Sequence, residues 1–239
     1  MDTEWTVDKL ANLQIKQSRQ GFRFGLDAVL LATDLPTLPK HPHIAEIGSG
    51  QGTVALAIAH QLPDAQIWCF ERQDGLFALL QDNIERNGLS DRVWAEMRDI
   101  RERAALPRQT MDLVVSNPPF FRVGEGFSSP NAERASAHME LHGDLGDFVE
   151  AARLMLKQRG RFKVVLPPRR LPDLCNAVSA TDFGMESMRW IHPRSGEAAY
   201  LFEAVLRRNS KDTLEVGPPL VIHVGDEFSA EVQRRLELR

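Results

Sequence analysis

At 239 residues, with 43% hydrophobic and 26% charged side chains, the chain has the length and balance of one sizeable α/β domain or two small ones. Apolar runs such as 28–32 and 113–115 are too short to span a bilayer, and the first residues carry neither a basic nor an apolar leader segment. The two cysteines, Cys69 and Cys175, make no disulfide framework and no metal cluster and suit a reducing cytoplasm, while the net charge of −4 taken alone argues weakly against a nucleic-acid partner.

The charge is unevenly spread. Residues 42–152 hold 9 basic against 17 acidic side chains, whereas residues 153–211 hold 12 against 5. A positive C-terminal half suits an anionic partner, although arginines on solvated helix faces give the same composition.

Along the chain, residues 27–35 read as a helix, ended by Pro36 and Pro39. From residue 43 onward, apolar strand-like runs alternate with helix-like stretches, the pattern of a parallel sheet flanked by helices. Strands are expected at 43–47, 66–71, 92–96, 111–116, 161–166, 187–192 and 199–206, seven in all. Helices are expected at 52–61, 73–87, 144–157 and 168–180. The last two strands are joined by only His192-Pro193-Arg194-Ser195-Gly196, a connection that suits an antiparallel pair. Residues 219–224 read as an added edge strand, with Pro218 and Pro219 at its start. The simplest organisation is one domain over 1–239, made of an N-terminal segment (1–40), a core (41–206) and a C-terminal edge extension (207–239).

Two strand ends carry the chemistry. The first strand runs Ile44-Ala45-Glu46-Ile47 into Gly48-Ser49-Gly50-Gln51-Gly52, and a helix begins at once. Glycines at such a turn let the chain reverse tightly and let a ligand approach the main chain. Position 53 is threonine, so the dinucleotide pattern G-x-G-x-x-G fails by one residue. Acid-x-Gly-x-Gly-x-Gly instead resembles the cofactor loop of class I methyltransferases, whose S-adenosyl-L-methionine has a positive sulfonium in place of a phosphate. That resemblance implies a Rossmann-like fold, with Glu46 near the sulfonium, Glu71 at the second strand end on the ribose hydroxyls, and Asp99 after the third strand near the adenine amine.

The second strand end is Met111-Asp112-Leu113-Val114-Val115-Ser116 running into Asn117-Pro118-Pro119-Phe120. This is similar to the catalytic signature of amino-group methyltransferases. The residue types suit the task. An aromatic amine is a poor nucleophile because its lone pair is delocalised, and acceptors on the Asn117 side chain and Pro118 carbonyl favour a tetrahedral nitrogen as charge develops. Pro118-Pro119 holds the carbonyl direction, and Phe120 offers a face on which a base can stack. Neither a metal nor a cysteine nucleophile is required.

Outside these loops, residues 17–32 read Gln-Ser-Arg-Gln-Gly-Phe-Arg-Phe-Gly-Leu-Asp-Ala-Val-Leu-Leu-Ala. This is similar to the N-terminal signature of bacterial small-domain methyltransferases that modify adenine-37 of valine tRNA at its exocyclic nitrogen. Ala137-His138-Met139-Glu140, Asp144-Leu145, Ile191-His192-Pro193-Arg194 and Pro218-Pro219-Leu220 echo further segments of that family. The resemblance covers about residues 12–225. It implies that the N-terminal segment closes over the cofactor, with Phe24 and Asp27 beside it, and that the partner is a structured RNA, a tRNA, in the cytoplasm. Departures are Phe120 where tyrosine is more usual and the lack of an arginine before His138. Residues 121–135 read as a flap, and Arg122 there, with Arg169 and Arg170, is expected to hold substrate phosphates. Further basic side chains, Arg153, Lys157, Arg159, Arg189 and Arg194, are candidates for the same task. Asn-Pro-Pro-aromatic also occurs in ribosomal guanine and release-factor glutamine methyltransferases, so those acceptors, and a non-catalytic partner subunit, stay open as alternatives.

Overall fold

In the computed structural model, described over residues 5–19, 23–120, 144–210 and 213–238, the alternating pattern becomes a ten-stranded sheet beside a separate two-stranded hairpin. The hairpin pairs β1 (Trp5–Leu10) with β2 (Leu13–Ser18). Helix α1 (Leu26–Ala32) follows, then β3 (His43–Ile47), α2 (Thr53–Gln61), β4 (Gln66–Glu71), α3 (Asp74–Arg86), β5 (Val93–Met97) and β6 (Met111–Ser116). Next come α4 (Leu145–Met155), β7 (Leu156–Leu166), α5 (Leu171–Ser179), β8 (Phe183–Arg194) and β9 (Leu201–Arg208). The short β10 (Glu215–Val216), β11 (Leu220–Val224), β12 (Glu227–Phe228) and α6 (Ala230–Leu236) complete the chain.

The sheet order is β12-β11-β8-β9-β7-β6-β3-β4-β5, with β10 also on β8. From β7 to β5 all pairs are parallel, and β9 runs antiparallel to both β7 and β8. This is the expected seven-stranded frame with its antiparallel C-terminal pair, extended at one edge by β10, β11 and β12. The core lies on both faces. Leu30, Ile44, Leu56, Ile58 and Ile67 are buried on the α1–α2–α3 side, and Ile47, Val114, Val149, Phe162 and Leu166 on the α4–α5 side. Alternation along each strand sends successive side chains to opposite faces, which is why neighbours such as Ile44 and Ala45 join different clusters.

Several boundaries differ from expectation, among them the strand expected at 187–192, which runs Phe183–Arg194, and the helix expected at 27–35, which ends at Ala32. The strand expected at 161–166 begins five residues earlier, and the helix before it ends at Met155. The helix expected from 168 starts as a 3-10 turn, Pro168–Arg170, before α5. Between β5 and β6 only the 3-10 turn Arg103–Ala105 forms; the sheet face nearby carries Trp68, whose ring lies 5.0 Å from that of Trp94 and 5.2 Å from His43.

The β1–β2 hairpin has no counterpart in the sequence reading. Leu10, Leu13 and Ile15 enter the core, and the edge of the hairpin is docked by polar bonds. Lys16 N–H donates to Asn83 Oδ1 at 2.7 Å and Gln14 N–H to Asn87 Oδ1 at 2.9 Å. The same two side chains donate back to the Lys16 and Gln14 carbonyls, each at 2.9 Å. Two asparagine amides of the α3 region thus act as peptide groups along the free edge of β2, satisfying an edge that would otherwise stay open.

Candidate functional site

The parallel strands β3, β4, β5 and β6 all end on one side of the sheet. The chain leaves β3 toward α2 on one face and β6 toward α4 on the other, so a crevice opens between the two strand ends. A cleft of about 840 Å³, including its open mouth, occupies that position. Its walls include Asp27, Gly48, Gly50, Glu71, Asp99, and Asn117 to Phe120. Of the sequence-derived residues, the fold therefore brings these nine together. Apolar Phe70, Leu76, Ile100 and Phe148 complete one wall. These four sit in no local motif, so a sequence reading passes over them. The cleft's mostly apolar lining with a few polar groups suits a small organic molecule.

The glycine loop is tightly tied. The N–H groups of Gly48 and Ser49 both donate to the Phe70 carbonyl, at 2.9 and 3.1 Å, and Gly52 N–H donates to the Ser49 carbonyl at 2.8 Å. Gly52 has φ +87°, and a Cβ there would stand 2.5 Å from Leu80 Cδ1, so only glycine fits both the backbone and the space. Gly52 itself caps α2 and does not line the cleft. Glu71 organises the loop from β4. Its Oε2 accepts from Gly50 N–H, and its Oε1 from the N–H groups of Arg72 and Gln73, all at 2.8 Å. A carboxylate has about four acceptor positions, so these three bonds leave one of them over.

Glu46 stands elsewhere than expected. It shares the strand face of Ile44, toward α2, and its Oε2 accepts from Ala55 N–H at 2.9 Å. It is buried, does not line the cleft, and burial pushes its carboxyl well above the ordinary glutamate value, against the Ala55 hydrogen bond and with help from the nearby Glu71 charge. Its hydrogen bond to Ala55 secures the start of α2, behind the cleft lining. Asp99 does line the cleft, but its oxygens are engaged by Arg101 and by Arg72 Nη1 at 2.9 Å, and these partners, Arg101 first, hold its carboxyl far below the usual range. Phe24 also departs from expectation, packing against the core outside the cleft lining. Its N–H donates to Gln17 Oε1 at 3.1 Å, an oxygen that also accepts from Gln51 Nε2 at 3.1 Å. The buried Gln17 thereby joins the hairpin to both the glycine loop and the approach to α1.

At the opposite wall, Asn117 Nδ2 donates to Asp27 Oδ2 at 2.6 Å, while Asn117 Oδ1 is buried without a hydrogen-bond partner among the described residues. Buried acceptors are nearly always satisfied, so an orphan on a residue that lines the cleft marks where a donor belongs. Tyr200, the chain's single tyrosine, stands near Asp27; burial first and that charge second raise its phenol above the ordinary value.

The arginines behave differently from expectation. Arg170 is buried, pairs with Asp173 at 2.8 Å and donates to the Pro119 carbonyl at 3.4 Å. It braces the Asn-Pro-Pro-Phe loop from inside and is not placed for phosphates. Arg169 is exposed and donates to the Phe120 carbonyl at 3.1 Å. Arg153 pairs with Glu150, Lys157 with Asp112 and Arg189 with Glu231, so much of the basic excess serves the fold. Arg122, the 121–135 stretch and His138 lie outside the described residues. Among the described residues no group of three His, Cys, Asp or Glu is arranged to hold a metal, and no helix is long and apolar enough to cross a membrane.

The chain is 29% identical over 153 residues to the tRNA1(Val) (adenine(37)-N6)-methyltransferase of Flavobacterium johnsoniae, a match covering 64% of each chain. It is 35% identical over 85 residues to the human MTRF1L release factor glutamine methyltransferase, covering 34% of this chain and 25% of that one. The chain thus spans slightly under two thirds of the curated tRNA relative. Among solved structures it is similar to a predicted O-methyltransferase from Agrobacterium tumefaciens, with a TM-score of 0.74 and 22% identity over 89% of this chain and 96% of that one, a likeness of fold. The family model for the methyltransferase small domain matches residues 23–172, from the approach to α1 through both loops and into α5, and the chain belongs to that family.

Proposed function

We propose that the chain is an S-adenosyl-L-methionine-dependent N-methyltransferase acting on the exocyclic N6 amine of an adenine in tRNA. The observation that carries this reading is the buried, unpartnered Asn117 Oδ1 at the end of β6, on a residue that lines the cleft beside the glycine loop. The residues present fit the cofactor. Glu71 keeps an acceptor position for a ribose diol, the open backbone at Gly50 leaves room for close approach, and Leu76 and Ile100 offer apolar walls for a purine. When bound, the cofactor supplies an electrophilic methyl group.

The chain's own residues do the rest. Asn117 Oδ1 and the Pro118 carbonyl accept hydrogen bonds from the amine N–H groups, which draws the nitrogen lone pair out of the ring. Those bonds strengthen as positive charge builds on nitrogen, so they stabilise the transition state more than the ground state. Phe120, half-buried at the cleft, gives the base a stacking face. Arg170 and Arg169 hold the Pro119 and Phe120 carbonyls, which keeps this loop in place as the substrate enters.

The tRNA substrate is supported by the extent of the match to the Flavobacterium enzyme, which runs well beyond the two motif loops. The likeness to the glutamine enzyme is confined to a segment of 85 residues. A tRNA substrate also implies a cytoplasmic setting. Mass spectrometry of nucleosides from small RNA, with and without the gene, tests the reading. Loss of N6-methyladenosine from one tRNA species on deletion is expected, and an unchanged nucleoside profile would contradict it.

A further inference from the structure

We infer that Asp27 is a positioning residue for this reaction: its carboxylate dictates which way the Asn117 amide faces, presenting Oδ1 and not Nδ2 to the incoming amine. The inference rests on the role given to Asn117 above. Asn117 Nδ2 donates to Asp27 Oδ2 at 2.6 Å, and Oδ1 is left buried and unpaired. A side-chain amide is nearly symmetric in shape, and only its partners decide its orientation. A carboxylate only accepts, so the flipped amide would set two oxygens against each other at the same short distance. The flipped form would also offer the amine a donor where catalysis needs an acceptor. Among the described residues Asp27 is the hydrogen-bond partner that distinguishes the two orientations of the Asn117 amide.

Gly25 points the same way. Its backbone, φ −116° and ψ −171°, is extended and open to any residue. Yet a Cβ at position 25 would stand 2.6 Å from Asp27 Oδ1. The space left by the missing side chain is therefore occupied by the carboxylate that holds Asn117. A methyl group there displaces the carboxylate, the movable end of a side chain, and leaves the backbone alone.

The test is a double-mutant cycle on the full chain, read as single-turnover methyl transfer to an unmodified valine-tRNA transcript, with calorimetric titration of S-adenosylhomocysteine as the measure of cofactor affinity. Asp27→Ala is expected to lower turnover by about 10–100-fold, the scale of a misoriented reacting group, with little change in cofactor affinity. In an Asn117→Ala background it should cause no further loss, because Asp27 acts through Asn117. Gly25→Ala should lower turnover in the same direction while leaving the melting temperature close to wild type, and it carries the test should Asp27→Ala fold poorly. Effects that multiply across the cycle, or a loss confined to cofactor affinity, would overturn the inference and assign Asp27 to the cofactor. Full turnover in Asn117→Ala would overturn the functional reading itself.

Discussion

Replacing Glu71 with glutamine should unfasten the loop on which the cleft is built. In the native site one carboxylate accepts three backbone N–H bonds at 2.8 Å, one on Oε2 from Gly50 and two on Oε1 from Arg72 and Gln73. Glutamine keeps one acceptor oxygen. Its best orientation sets that oxygen against Arg72 and Gln73 and turns its NH₂ toward the Gly50 N–H, donor against donor. The stranded Gly50 N–H costs about 1–3 kcal/mol, and the two remaining bonds, now neutral, lose roughly 1 kcal/mol each. The sum is about 3–5 kcal/mol, which for a domain of this size lowers the melting temperature by roughly 6–20 °C. Urea denaturation measures the first quantity, and titration of S-adenosylhomocysteine measures the weakened cleft. A Glu71→Gln protein with wild-type stability and affinity would refute this account of the loop.

Three other outcomes are expected. Gly52→Ala should destabilise more than Gly196→Ala, since both glycines have φ above +80° but only the first has a neighbour, Leu80 Cδ1, 2.5 Å from the added carbon. Gly196→Ala should cost about 1–2 kcal/mol for the backbone alone, and parallel melting curves check the difference. Glu46 has a folded value raised by burial, so the folded state holds its proton more tightly than the unfolded chain does. Wild-type stability relative to Glu46→Gln should therefore fall as pH rises from the ordinary glutamate value through the raised one; a difference flat from about pH 4 to pH 8 would contradict the burial argument. Arg169→Ala should weaken tRNA binding and reduce its salt dependence by about one counterion, while Arg170→Ala should act through stability and turnover, which filter binding over a salt series separates.

Much of the fold was legible because its signals are local. Apolar runs that end in glycines, or in Asn-Pro-Pro-Phe, mark parallel strands whose following loops share one end of the sheet, and that alone gathers Gly48, Gly50, Glu71 and Asn117. The hairpin escaped because its polar partners, Asn83 and Asn87, lie about seventy residues away, and because the apolar alternation of Leu13 and Ile15, which enter the core, is too short to stand out. Arg170 was read as a surface charge because arginine seldom lies buried; only the fold shows Asp173 and the Pro119 carbonyl beside it. For Glu46 the acid-before-glycine pattern points to the cofactor, whereas strand alternation alone sets it on the face of Ile44, toward α2, where it bonds Ala55 N–H.

Transfer of a labelled methyl group from S-adenosyl-L-methionine to a valine-tRNA transcript, followed by digestion to nucleosides, tests the central claim most directly. The account predicts label in N6-methyladenosine for the wild-type chain. It also predicts a fall of about 10²–10³-fold or more in turnover for Asn117→Ala, with affinity for S-adenosylhomocysteine preserved. Label appearing in a protein glutamine but not in tRNA, or transfer undiminished in Asn117→Ala, would contradict it.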